Sequence, residues 1–282
     1  MNAEKRGAAT LSGVTKTFGA TTVLRQCTFE VPASSFTALV GPSGCGKTTL
    51  INMIAGYEIA DGGAIAVDGA AVAGPGWDRL VVFQETALFP WKTTLANVVF
   101  GPLNRGIPRQ DAVRQATDLL AKFGLAGFEQ KYPSQLSGGM QRRAELARAM
   151  INSPRIMLLD EPFRGLDALT RELMQEYLLR VFEEHRITTL FVTTEIEEAI
   201  YLADRIVVLS GRPATVKETI EVGLARPRDI KMLTSAVFAR IHGRILSSLI
   251  EEAEKAFGGG AEGAADILRG ATDMLQGYRQ PH

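Results

Sequence analysis

Phe36-Thr37-Ala38-Leu39-Val40-Gly41-Pro42-Ser43-Gly44-Cys45-Gly46-Lys47-Thr48-Thr49-Leu50 is the stretch on which the fold turns. Its first five residues are apolar apart from Thr37, which reads as a buried strand of a parallel sheet. Gly-x4-Gly-Lys-Thr follows at once. Glycines there permit positive φ and let backbone N–H groups approach phosphate oxygens. Lys47 adds a point charge toward the β- and γ-phosphates, and the Thr48 hydroxyl is placed to ligate Mg²⁺. A helix beginning near Gly46 and running through Ile54-Ala55 aims the positive end of its dipole at the anion. Gly41, Pro42, Ser43, Gly44, Cys45, Gly46, Lys47, Thr48 and Thr49 are therefore the expected cradle for a nucleoside triphosphate. A glycine-rich turn with an incidental Gly-Lys-Thr explains the residues less well, because a strand precedes them and a helix follows.

Two further stretches lie downstream. Ile156-Met157-Leu158-Leu159-Asp160-Glu161 is an apolar strand ending in two acids. Open α/β sheets place ligands at such strand ends. One carboxylate can hold Mg²⁺ and the other can polarise an attacking water. An acid pair before Pro162 could also cap a following helix. Between this strand and the loop stands Leu136-Ser137-Gly138-Gly139-Met140. It offers a hydroxyl, bare backbone and the N-terminal amides of the next helix, which together make a second anion site. One nucleotide does not obviously need two such sites from one chain.

Composition bounds the rest. The 282 residues suit one large α/β domain with a small appendage, and 46% hydrophobic content is ample for a core. Net charge is zero and no strongly basic stripe is present, which disfavours a nucleic-acid partner. No apolar run approaches the roughly 18–20 residues needed to span a bilayer. The first residues lack the apolar stretch of a signal peptide, and two cysteines, Cys27 and Cys45, make a structural disulfide improbable. A cytosolic protein that meets a membrane only through a partner is the expectation.

Along the chain, residues from about 10 to 80 are expected to be β-rich, with strands at Val14–Phe18, Cys27–Val31, Ala64–Val67 and Leu80–Phe83. From about 94 to 151 the periodicity turns helical, including Asp111–Phe123 and a helix from the Ser-Gly-Gly turn to Met150. Strands return at 155–160, 188–193 and 205–210, with helices 168–185 and 195–203 between them. That alternation implies a parallel sheet. The expected fold is thus α/β: a P-loop NTPase (RecA-like) parallel core, an N-terminal antiparallel β subdomain and an inserted helical subdomain at about 88–153. Arg226-Pro227-Arg228 reads as a linker opening a C-terminal helical appendage over 223–282. Within that appendage, 235–256 is an amphipathic helix and a short helical tail follows Gly258-Gly259-Gly260.

In order and spacing the phosphate loop, the Ser-Gly-Gly turn and the acidic strand resemble the ATPase subunit of ABC transporters. The resemblance covers about residues 10–250. Gly74-Pro75-Gly76, Phe83-Gln84-Glu85-Thr86-Ala87-Leu88-Phe89-Pro90-Trp91, Glu161-Pro162-Phe163, Asp167–Leu173 and Ile196–Ser210 narrow it to the bacterial nitrate/sulfonate/taurine importer branch. The resemblance implies a head-to-tail pair, either homodimer or heterodimer, that clamps ATP. In that pair the loop of one subunit faces Ser137, Gly138, Gly139 and Met140 of the other. It implies Asp160 and Gln84 beside Thr48 at Mg²⁺, Glu161 as general base with Lys47 and Gln84 assisting, and Asp167 at the dimer interface. Phe18 stands where an aromatic stacks on adenine, although a core phenylalanine there is also common. The Gln84–Trp91 segment would meet a membrane permease, and Phe89 and Trp91 could equally be subdomain core. A periplasmic binding protein would act indirectly, and the location would be the cytoplasmic face of the bacterial inner membrane.

Two positions depart from the resemblance. Relatives read Thr-His-Asp after the strand at 188–193, where this chain reads Thr193-Thr194-Glu195. Thr194 can donate a hydrogen bond but carries no charge, and loss of a transition-state contact of that kind costs about 10²–10³ in rate. A motor subunit with Thr194 in the histidine's place is one expectation. A degenerate, weakly hydrolysing regulatory subunit is the alternative. Arg164 takes a place where near relatives carry glycine, and the sequence supplies no account of it.

Overall fold

A computed structural model describes residues 7–257. Among them two sheets form. Strands β1 (Ala9–Phe18), β2 (Thr21–Val31), β4 (Gly62–Val67) and β5 (Ala70–Ala71) make an antiparallel sheet in the order β2-β1-β4-β5. Its alternating residues Ala9, Leu11 and Val14 point inward, and the register slips between Leu11 and Val14, where Gly13 takes a left-handed φ of 60°.

The second sheet holds β3 (Phe36–Val40), β6 (Arg79–Val82), β7 (Ile156–Asp160), β8 (Thr188–Val192), β9 (Arg205–Leu209) and β10 (Val216–Glu221), in the order β10-β9-β3-β8-β7-β6. All neighbours are parallel except the β9–β10 edge pair. Every residue of β3, β7 and β8 is buried, as continuous apolar runs in a covered parallel sheet require. Leu39 pairs with Val192, and Val192 with Asp160. That row brings the phosphate loop, the two acids and Thr193-Thr194 out at one end of the sheet.

Helix α1 (Lys47–Ala55) follows the loop. The helices α2 (Thr94–Val98), α3 (Phe100–Asn104), α4 (Arg109–Lys122) and α5 (Gly138–Met150) stand between β6 and β7. In α4 the buried positions Ala112, Ala116 and Leu120 recur every fourth residue and face one core. Helices α6 (Ala168–His185) and α7 (Ile196–Leu202) complete the crossovers.

The structure corrects two local expectations and adds a strand. The strand before Gln84 ends at Val82, leaving Phe83 exposed outside it. Strand β10, with only Ile220 fully inward among polar neighbours, carried too weak an alternation to be anticipated. Arg226-Pro227-Arg228 is not a free linker. Arg226 Nε donates to Asp204 Oδ1 at 2.7 Å and its guanidinium stacks on Phe182, while Arg228 Nη2 donates to the Ala203 carbonyl at 2.7 Å. Burial pushes the Arg228 guanidinium down to about 10, with the neighbouring Arg226 charge adding to the effect.

Helix α8 (Ala236–Phe257) packs Phe238, Ile241 and Ile245 into the main core. Its polar anchor is Glu252, which accepts from the Gly211 amide at 2.9 Å, from Lys217 and from Lys255. Burial alone would raise that carboxyl, but the hydrogen bonds outweigh it and hold it at about 2, below the ordinary 4.5. A depressed carboxyl contributes stability that is present above its unfolded value and lost as pH falls through the folded one. Amide exchange in α8 is therefore expected to accelerate as pH drops from about 4.5 toward 2, once corrected for intrinsic rates. Glu252→Gln is expected to flatten that response. The tail expected beyond Gly258 lies outside the described residues. No described helix is long and apolar enough to cross a membrane.

Candidate functional site

The loop between β3 and α1 closes on itself. Lys47 Nζ donates to the Gly41 and Pro42 carbonyls at 2.8 and 3.0 Å. Gly46 has φ of 120°, and a Cβ there would come within 2.8 Å of Val23 and 2.9 Å of Leu24 on β2. Only glycine satisfies both the backbone and the space, so the antiparallel sheet fixes the loop from behind. Arg212, in the β9–β10 turn, donates to the Gly44 carbonyl at the loop's outer lip. The same turn presents the Gly211 amide to Glu252, so α8 braces the loop at one remove.

Asp160, at the end of β7, is buried, with the Thr48 hydroxyl among the groups that act on its carboxyl. Burial pushes its carboxyl up, Thr48 and the Lys47 charge pull it down, and neighbouring Glu161 pushes it up again. A threonine hydroxyl and a carboxylate are hard-oxygen donors, which suit Mg²⁺ shared with phosphate oxygens rather than an all-protein cage. Among the described residues no cluster of three His, Cys, Asp or Glu could hold a metal by itself.

Glu161 adopts a left-handed φ of 43°, uncommon for a residue with a side chain, and its amide extends the ladder to the Val192 carbonyl at 2.9 Å. Its carboxylate lines a small cavity with Arg164, Thr193, Thr194 and Glu195. Thr193 is buried and donates to Glu198. Thr194, next in the chain, is exposed on the cavity wall.

The Ser137 turn stands apart from this cluster. Its hydroxyl accepts from the Met140 amide at 3.3 Å and caps α5. A Cβ on Gly138 or Gly139 would meet Leu166 or Thr170 respectively, so the turn lies against the start of α6. Asp167 caps α6 by accepting from the Thr170 amide at 2.9 Å, and Thr170's hydrogen bonds hold its carboxyl below the usual range. Phe18 sits at the tip of β1 with its ring 45% exposed and Lys16 Nζ 5.1 Å from the ring centroid. It is not a core phenylalanine.

Gln84 lies in an exposed segment stitched to α5. Arg142, only 4% exposed, donates to the Phe83 and Gln84 carbonyls and to Glu145 Oε2. Glu145 Oε1 accepts from the Ala87 amide, and Arg148 donates to the Ala87 carbonyl. Arg142, Glu145 and Arg148 escaped the reading of the sequence. Their signal was available, since three charges stand at i, i+3 and i+6, on one face of the helix expected from the Ser-Gly-Gly turn to Met150. Of the apolar residues after Gln84, Leu88 is core, Phe89 is half-buried and Trp91 is 70% exposed. Beside them Tyr57, Trp77, Phe83 and Phe100 line a cavity of about 510 Å³.

The ABC transporter family profile matches residues 24–164. Over 232 residues the chain is 46% identical to an uncharacterized ABC transporter ATP-binding protein of Methanocaldococcus jannaschii, covering 82% of this chain and 86% of that one. It is 45% identical to the taurine import ATP-binding protein TauB of Pseudomonas entomophila over 72% of this chain and 78% of the other. Among solved structures it is similar to an ATP-binding cassette in a dimeric, post-hydrolysis state bound to ADP and phosphate. That match has a TM-score of 0.65 and 29% identity, covering 76% of this chain and 98% of that one.

Proposed function

The chain belongs to the ABC transporter ATP-binding family, and from that footing we propose that it is the ATP-hydrolysing motor subunit of an importer for a small anion such as taurine, another sulfonate or nitrate. The observation that supports this most is the convergence of Lys47, Thr48, Asp160 and Glu161 at one end of the parallel sheet. An α/β sheet offers its ligand site there.

In this reading the loop residues Gly41 to Thr49 wrap the phosphates through backbone amides, and Lys47 turns from its own carbonyls to the β- and γ-phosphates. Thr48, Asp160 and Gln84 are the residues that would hold Mg²⁺, and when bound it would supply charge neutralisation at the phosphate oxygens. Glu161 takes the proton of the attacking water, in line with the scissile bond. Thr194 contributes a neutral hydroxyl at the cavity wall. Phe18 offers its exposed face to the adenine, where stacking needs only a π system. Ser137, Gly138, Gly139 and Met140 cap α5 beside the start of α6 and would serve a second subunit's ATP, with Asp167 close to that junction. The aromatic-lined cavity and the exposed Trp91 beside Gln84 suit a short permease helix. The subunit would then be peripheral to the cytoplasmic face of the inner membrane, with a periplasmic binding protein supplying the solute. The weakly hydrolysing alternative draws no support from these observations.

The test is phosphate release by the purified chain with ATP and Mg²⁺, beside Glu161→Gln and Thr194→His, together with co-purification of a permease. Turnover well above that of Glu161→Gln is expected. A wild type no faster than Glu161→Gln, with turnover restored by Thr194→His, would overturn the motor reading.

A further inference from the structure

Arg164 lies three residues after Glu161, in the turn leading to α6, and its guanidinium points back. Nη1 donates to Glu161 Oε2 at 2.9 Å, and the Arg164 amide donates to the Glu161 carbonyl at 3.1 Å. The two side chains differ in exposure, 62% for Arg164 and 14% for Glu161. The carboxylate is therefore walled in while the guanidinium reaches it from solvent.

The surroundings give the pair its meaning. The cavity that Glu161 shares with Arg164 also carries Glu195 and Glu198 on its wall, and Asp160 directly precedes Glu161 in the chain. Arg171 also borders it, but that guanidinium donates to the Leu166 carbonyl. Thr193 and Thr194 bring hydroxyls and no charge. Arg164 is thus the cation in contact with a carboxylate that sits among like charges on a strained backbone.

We propose that Arg164 is a positioning residue for Glu161: by holding Oε2 it fixes the carboxylate plane and leaves Oε1 to a water. The inference rests on the reading of Glu161 as the general base. An ion pair this exposed adds little to stability, and a carboxylate free to rotate spends less time aligned with its water. Loss of Arg164 should therefore reduce the chemical step and spare both folding and ATP binding.

The experiment is steady-state phosphate release by the full chain across ATP concentrations, for Arg164→Ala, Arg164→Lys, Glu161→Gln and the Glu161→Gln/Arg164→Ala double variant. Arg164→Ala is expected to lower kcat about tenfold with KM for ATP within about twofold, a loss confined to the chemical step. Arg164→Lys, which can still pair through one donor, is expected to recover a large part of the loss. In the Glu161→Gln background Arg164→Ala is expected to add nothing, because the group it positions is already gone. An unchanged or raised kcat for Arg164→Ala overturns the proposal, the second by making the pair a restraint on the base. An equal fall in both backgrounds also overturns it, since Arg164 would then act elsewhere. Wild-type turnover by Glu161→Gln alone overturns the base reading itself, which is a different failure from a neutral Arg164→Ala beside an inactive Glu161→Gln.

Discussion

Glu161→Gln is expected to lower ATP turnover by about 10²–10⁴-fold, the usual contribution of a positioned general base. The amide keeps the length and shape of the side chain and can still accept from Arg164, so the turn and the left-handed backbone at 161 need not change. What disappears is proton affinity at the oxygen facing the water. The phosphate loop is untouched, since Lys47, Thr48 and Asp160 make their contacts without Glu161's carboxylate. ATP binding is therefore expected to persist, and the variant should accumulate in its nucleotide-bound form. Phosphate release alongside equilibrium ATP binding checks both halves. Loss of binding together with turnover would move Glu161 from the base to the cradle.

Arg142→Ala is expected to cost about 3–5 kcal/mol of stability, the range for breaking a buried ion pair from one side. Burial pushes the Glu145 carboxyl up, and Arg142 supplies the largest opposing influence. Removing the arginine leaves a buried carboxylate with only the Ala87 amide and Arg148 to oppose its desolvation. It also leaves the Phe83 and Gln84 carbonyls without their side-chain donor. Replacing both partners, as in Arg142→Met with Glu145→Met, is expected to cost less than Arg142→Ala alone, because no buried charge is then stranded. Urea denaturation of the three proteins measures this, and a single variant as stable as wild type would mean that the pair is not desolvated in solution.

The elements that sequence reading reached are those encoded by neighbours in the chain. Phe36–Val40 is apolar apart from Thr37 because β3 is covered on both faces, and α4 repeats its alanines and leucine at helical spacing. The phosphate loop is legible for the same reason, since its chemistry is a fixed local spacing of glycines, lysine and threonine. Contacts between distant residues were not legible. Arg142 meets Gln84 across 58 positions and Arg212 meets Gly44 across 168, and no periodicity announces either. Arg226 and Arg228 mislead in a related way: Arg-Pro-Arg has the composition of a solvated link, yet both guanidiniums find carbonyls or a carboxylate 22 to 25 residues upstream. Arg164 is local to its partner, but its meaning depends on the charges that the sheet gathers around Glu161.

The clamp of Arg142, Glu145 and Arg148 on residues 83–87 also has a mechanical side. Ser137 caps the same helix, about one and a half turns before Arg142. Helix α5 is therefore a stiff rod with the exposed 83–87 segment riveted along its flank and the Ser137 cap at its N-terminal end. A force applied to that segment has two outlets, to pull out the rivets or to tilt the rod. Pulling them out exposes a buried ion pair, so tilting is the softer mode, and the displacement reappears at Ser137, Gly138 and Gly139.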